Sequence, residues 1–434
     1  MPFLGPWLYW VLGINRVQRR AVRLFWKRGR LGSPTSAESR ENAARDESNL
    51  LGSLGALRDT ADRVTRLPLV SGNALTPLHN GEEAYPAMLG AIRFAQRSVT
   101  LASYIFDWDD VGREFCEVLT AAARRGVRVH VLLDGIGALG SWSRVGRRLI
   151  SAGAKVAPFF PLRFPLGRLR INLRNHRKIL VVDGRRGFTG GMNISHRHWM
   201  NTSNPNRCED LHFQLEGPVV AQLQHVFAED WMLAADDHLE GDAYFPPLSN
   251  QGTALCRGIA GGPDEDSENV EWILMAAFAA AQRTIRLATP YFIPTITLIR
   301  SMILAVLRGV QVTLILPSHV DLPFMRWAAD AYLWQILLRG VRVFRRPTPF
   351  VHTKLCVVDE RWTLLGSANL DPRSFRLNFE FNVEAYDPSL AARLAKWMDS
   401  QTVESEAVTL EAVDARPIPQ RLRDGFVKLF SPHL

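Results

Sequence analysis

One pattern occurs twice in this chain and constrains its fold more than any other feature. The stretch "NHRKILVVDG" at 175–184 is answered by "VHTKLCVVDE" at 351–360. In full the first copy reads His176-x-Lys178-x4-Asp183-x6-Gly190-Gly191-x-Asn193. The second reads His352-x-Lys354-x4-Asp359-x6-Gly366-Ser367-x-Asn369, with the same spacing at each element.

The surroundings repeat in the same order. "GEEAYPAMLGAIRFAQRSVTLASYIF" (81–106) and "NVEWILMAAFAAAQRTIRLATPYF" (269–292) each show helical apolar spacing, then a β-rich run ending at an aromatic. "RRGVRVHVLLDG" (124–135) and "LRGVQVTLILPS" (307–318) each read as a helix end, a glycine stop and a buried strand. "SAGAKVAPFF" (151–160) matches "LRGVRVFRRP" (338–347). A period of about 180 residues is a duplicated domain, not a solenoid. Strands alternating with helices predict an α/β fold: two pseudo-twofold-related halves, each a mixed sheet flanked by helices, sharing one active site. The halves are expected at 69–245 and 246–434, after a polar linker and short helix over 32–68.

Period-two alternation puts His176 and Lys178 on one face of a strand, and His352 and Lys354 likewise. Gly190, Gly191 and Gly366 permit close backbone approach, as phosphate sites often require. Asn193 and Asn369 can each donate hydrogen bonds to an oxyanion. Such a pocket suits phosphoryl transfer at a diester. Lysines and asparagines balance charge on the non-bridging oxygens, one imidazole attacks phosphorus and the other protonates the leaving oxygen. A covalent phosphohistidine is the expected intermediate. No metal or other cofactor is expected.

Each imidazole needs an acceptor that fixes its tautomer. "CEDLHFQLEG" (208–217) and "NFEFNVEAYD" (378–387) align so that Asp210 stands opposite Glu380. Those two are assigned as orienting carboxylates, with Glu209 the fallback for Asp210. Asp183 and Asp359 complete the candidate set as motif members. Each lies an odd number of residues from its histidine, so a regular strand turns it to the other face, and a structural role is expected.

The net charge of +9 points to a polyanionic partner. The N-terminal 1–31 segment carries Trp7, Tyr9 and Trp10, then Arg16, Arg19, Arg20, Arg23, Lys27, Arg28 and Arg30. Its apolar run is too short to span a bilayer. Its aromatic-then-basic order predicts a membrane-surface anchor or re-entrant hairpin. The mixture of Phe159, Phe160, Phe164 and Leu166 with Arg163, Arg168, Arg170 and Arg174 predicts a second membrane contact at the site mouth. Cys116, Cys208, Cys256 and Cys356 form no C-x-x-C pair and are expected to be buried thiols.

The two motifs resemble those of the phospholipase D superfamily. Within it the chain is similar to the bacterial cardiolipin synthases, through "SYIFDWDDVGREF", "GGMNIS", "ATPYFIP", "HTKLCVVDERWTLLGSANLDPRSF" and the terminal "LFSPHL". The likeness runs from about residue 69 to 434. "GPWLYWVLGINRVQRR" resembles the end of that family's membrane segment, without the fuller pair of spanning helices many members carry. The resemblance implies phosphatidyl transfer between two phosphatidylglycerol molecules at a bacterial inner membrane, giving cardiolipin and glycerol without a metal. By the same analogy His176 is the nucleophile and His352 the acid/base. The alternatives are lipid hydrolysis or a nuclease at the same pocket. No nucleic-acid module is visible, so an anionic phospholipid membrane is the expected partner. The sequence does not define an oligomeric state.

Overall fold

A computed structural model describes residues 52–161 and 172–431. In the first half the strands are β1 (Val70–His79), β2 (Ser98–Ser103), β3 (Arg128–Asp134), β4 (Lys155–Phe159), β5 (Arg174–Asn175), β6 (Ile179–Val182), β7 (Arg186–Gly190), β8 (Cys208–Glu209) and β9 (Leu211–Glu216). In the second they are β10 (Ala254–Gly261), β11 (Thr284–Ala288), β12 (Gln311–Pro317), β13 (Arg342–Arg346), β14 (Phe350–Val351), β15 (Leu355–Val358), β16 (Trp362–Gly366), β17 (Asn378–Tyr386) and β18 (Glu406–Val408).

β8 and β14 form a separate two-stranded sheet, and the other sixteen strands form one continuous mixed sheet. From its centre the first half runs β1, β9, β7, β6, β2, β3, β4, and the second runs β10, β17, β16, β15, β11, β12, β13 and then β18. The two orders are one plan read outward from a seam. At that seam β1 pairs antiparallel with β10, Val70 against Cys256 and Asn73 against Ala254. The outer strands β2–β3–β4 and β11–β12–β13 are parallel, joined by helical crossovers. Their buried runs, such as "VHVLL" in β3, suit strands covered on both faces.

Local sequence explains the helix starts. Asp109 accepts from Gly112 N ahead of helix Asp110–Arg124, and Asp387 accepts from Ser389 N and Leu390 N ahead of Pro388–Val403. One apolar core lies within the first half. A second lies within the second half and takes in Leu54 together with Leu57 and Ala61 of the early helix Gly55–Val64 that follows it. A third draws on both halves, with Val219–Ala235 and Pro388–Val403 contributing equivalent apolar faces.

Two short strands cross between the halves. β5 pairs with β17, and β14 pairs with β8. Each leads directly into a motif histidine. His176 N then donates to Phe379 O at 2.9 Å, and His352 N donates to Glu209 O at 2.8 Å.

Two expectations change here. Phe159 and Arg174, read as part of a membrane-facing loop, are buried. Phe159 stacks edge-on against Phe379. Arg174 pairs with Asp134 at 3.4 Å. A polyanion-seeking arginine is thus neutralised inside the protein, and the phenylalanine completes the shared core. Phe160 also packs on Phe159 and Phe379. Arg163, Phe164, Leu166, Arg168 and Arg170 lie outside the described residues, as does the 1–31 segment. The four cysteines are buried and unpaired, as expected. Among the described residues no helix is long and apolar enough to cross a membrane.

Candidate active site

The crossed strands bring both motifs to one cavity of about 680 Å³. Its wall includes His176, His352, Asn193 and Asn369. Each histidine is oriented by a carboxylate from the opposite half. His176 Nδ1 lies 3.0 and 3.1 Å from the two oxygens of Glu380. His352 Nδ1 lies 2.8 Å from Asp210 Oδ2. Asp210, not Glu209, takes the orienting position, while Glu209 pairs with Arg346 at 3.5 Å. At His176 an Nδ1–H facing the ionised Glu380 leaves Nε2 as the basic nitrogen, whereas His352 and Asp210 can hold one proton between them and so present a protonated Nε2.

Burial and neighbouring charge set the protonation states. Burial, with both lysines adding to it, pushes the His352 pKa well below the usual imidazole value. Burial also lowers that of His176, against the pull of Glu380. Asp210 is raised to about 7 by burial, which nearby lysines offset only in part. Burial would raise Glu380 too, but His176, Lys178 and the Ser367 hydroxyl overcome it and hold the carboxyl below its usual range. The two carboxylates therefore differ. Ser367 Oγ donates to Glu380 Oε2 at 2.5 Å, whereas the equivalent Gly191 offers Asp210 no side chain. A Cβ on Gly191 would stand 2.4 Å from Asp210 Oδ2.

The lysines depart from the expectation of open side chains around a pocket. They are only 2% and 6% exposed. Each ammonium folds back on its own motif: Lys178 Nζ donates to His176 O at 2.7 Å, and Lys354 Nζ to His352 O at 2.6 Å. Lys354 Nζ also stands 2.9 Å from both ring nitrogens of His352. Burial pushes Lys178 down to about 7 and Lys354 down to about 8. Asn193 Oδ1 accepts from Ile105 N at 3.2 Å, leaving Nδ2 as the donor for a ligand. Asn369 Oδ1 is buried with no hydrogen-bond partner among the described residues.

Asp183 and Asp359 serve the backbone. Asp183 accepts from the N–H groups of Gln96, Arg97 and Ser98. Asp359 accepts from those of Gln282, Arg283 and Thr284. Each tethers the turn after its motif strand to the start of β2 or β11. Both adopt positive φ, 53° and 54°.

A family model described as "Cardiolipin synthase, PLD-like domain" matches residues 88–231 and 274–402. The chain belongs to this family. The chain is similar to cardiolipin synthase 2 of Bacillus anthracis, 32% identical over 381 residues, which are 86% of this chain and 73% of that protein. Cardiolipin synthase A of Pseudomonas entomophila (strain L48) is 34% identical over 390 residues, 88% of this chain and 79% of that protein. The fold is also that of phosphatidylserine synthase from Haemophilus influenzae Rd KW20, at 16% identity and a TM-score of 0.67, covering 87% of this chain and 100% of that one.

The two segments matched by the cardiolipin synthase model contain all ten motif and orienting residues. Several further side chains around them escaped sequence reading. Tyr104 packs edge-on to His176 and Tyr291 to His352. His198 Nε2 accepts from Asn193 N at 3.3 Å, and Ser374 Oγ does the same for Asn369 N at 3.2 Å. Arg177 is fully buried, bonded to Asp230 and to the carbonyls of Glu380 and Gly261. The tyrosines were visible as the repeated aromatic ends "SYIF" and "TPYF". His198 and Ser374 share an offset of five from the motif asparagine but not a residue type.

Proposed function

We propose that the protein transfers a phosphatidyl group from one phosphatidylglycerol to another, giving cardiolipin and glycerol. The crossed pairing of His176 with Glu380 and His352 with Asp210 at one cavity carries this reading. The Nε2 of His176 attacks phosphorus, and the bond to the headgroup glycerol oxygen breaks. His352 gives that oxygen its proton. A second phosphatidylglycerol then enters, His352 takes the proton from its headgroup hydroxyl, and the new alkoxide displaces His176. The asymmetry of the carboxylates supports this order. An ionised Glu380 strengthens His176 as nucleophile, while Asp210, near 7, shares a proton with His352. Asn193, Asn369, Lys178 and Lys354 stabilise the non-bridging oxygens. The names of the curated relatives support the substrate class. The membrane of a bacterial cell is the proposed location.

Lipid mass spectrometry in cells lacking other cardiolipin synthases tests this reading. The intact protein should restore cardiolipin, and His176→Ala or His352→Ala should not. Phosphatidic acid in place of cardiolipin would mark a hydrolase. Trapping of phosphorus-labelled lipid on His352 instead of His176, through an acid-labile, alkali-stable P–N bond, would reverse the two roles.

A further inference from the structure

The helix Ile418–Lys428 is turned inside out. The residue it buries is the charged Asp424. Asp424 is held by Arg416 at 2.8 Å and Arg423 at 2.7 Å. Its large apolar residues point the other way. Ile418, Leu422, Phe426 and the following Leu429 and Phe430 are 49–74% exposed. Their spacing of three and four places them on one stripe. An amphipathic helix on a globular surface normally buries that stripe, so this one is built to cover something outside the fold.

Charge identifies the occupant. Arg423 borders the stripe on one side, and Arg421 and Lys428 border it on the other. Arg423 and Lys428 are fixed over aromatic rings, Trp327 at 4.4 Å and Tyr332 at 4.2 Å. An apolar stripe between basic margins is the chemistry of a helix lying in an anionic bilayer interface. A second copy of this chain would present the same basic margins and repel them.

Position ties the helix to the site. Val427 packs on Ile293, Met325 and Ala328. Arg416 reaches Asp330 O at 3.0 Å. Met325 and Phe324 belong to the neighbouring helix Pro323–Asp330, and both line the cavity that holds His176 and His352. Leu322 and Phe324 at that rim are themselves partly exposed.

We propose that the Ile418–Phe430 segment is a membrane-docking element that lays its outward stripe into an anionic phospholipid bilayer and holds the cavity mouth at that surface. The proposal rests on the reading that the substrate is a membrane lipid. The four native cysteines are buried, so a Phe426→Cys variant of the full chain can carry a single environment-sensitive fluorophore. On vesicles of mixed phosphatidylglycerol and phosphatidylcholine the probe should shift to the blue and be quenched by acyl-chain spin labels. A probe at Arg393→Cys on helix Pro388–Val403 should not change. An unchanged probe at 426 overturns the proposal. So does a shift without vesicles that grows with protein concentration, which marks a second copy, or one abolished by deleting residues 1–51, which marks the chain's own segment. The Leu422→Ser/Phe426→Ser variant should lose about tenfold in rate on vesicles while keeping its rate on monomeric dihexanoyl phosphatidylglycerol within about twofold. Equal loss on both lipids overturns docking. An intact protein inert on both lipids, with a probe that still inserts, leaves docking standing and removes the proposed reaction instead.

Discussion

His176 Nδ1 lies 3.0 Å from Glu380 Oε1 across a separation of 204 residues. Glu380 also accepts from Ser367 Oγ and from Asn378 Nδ2, so it can only be an acceptor in that position. Glu380→Gln would place an amide donor against those donors and remove the charge that fixes the His176 tautomer. The expected result is a fall in kcat of about 10³-fold or more. Unsatisfied donors should cost about 1–3 kcal/mol of stability, leaving a folded protein. Steady-state kinetics and thermal unfolding on one sample check both halves.

Asp359 predicts the opposite balance. Its carboxylate collects three backbone N–H groups at 2.7–2.8 Å and its own backbone sits at φ 54°. Asp359→Ala removes three charge-assisted bonds and puts alanine in the left-handed region. The expected loss is about 3–5 kcal/mol of stability. Asp359→Asn should lose less, because asparagine tolerates that conformation. Chemical denaturation measures the loss. The single-turnover rate of the remaining folded protein should stay within about threefold. A selective collapse of the rate with unchanged stability would give Asp359 a chemical role.

That contrast shows what kind of information a sequence holds. The expected structural role of Asp183 holds, but not through strand alternation: His176 and Lys178 lie between β5 and β6, and Lys178 folds back on His176 O. The alignment of "CEDLHF" with "NFEFNV" exposes Asp210 and Glu380 because duplication preserves register. The crossing of those carboxylates to the opposite histidine is not local. It depends on the two-residue strands β5 and β8 pairing with the other half, and no periodicity marks so short a strand. The buried Arg177–Asp230 and Arg174–Asp134 pairs escape for a similar reason. An arginine in a basic stretch looks like surface charge until its partner is known. The short helix expected after the linker is Gly55–Val64, but the sequence does not show that it packs on helix Asn269–Ala280 of the second half.

The depressed lysines set a pH dependence for anion binding. Lys178, near 7, and Lys354, near 8, carry charge below those values and lose it above them. Asp210, near 7, becomes negative over the same range. All three changes weaken attraction for a phosphate-like anion as pH rises. Tungstate affinity, measured by calorimetry at constant ionic strength, should fall at least about tenfold from pH 6 to pH 9. Lys178→Met should weaken binding at pH 6 and flatten the fall through 7. A profile that rises with pH would show that the lysines do not hold the anion.

Ser367 and Gly191 occupy equivalent motif positions, and their difference can be tested through pH. The Ser367 hydroxyl helps hold Glu380 below its usual range. The ionised carboxylate is the form that orients His176, so activity is retained above the Glu380 pKa and lost as pH falls through it. Ser367→Ala removes a donor to the charged form and lets burial raise that pKa. The acid limb of kcat/KM should therefore move upward, by about 1 pH unit. The rate at the optimum should fall by less than about tenfold. Gly191→Ala should behave differently. Its new Cβ would meet both Asp210 oxygens within 2.5 Å, displacing the carboxylate from His352. The rate should collapse across the whole pH range, with no shifted limb to recover it, because geometry rather than protonation has been lost.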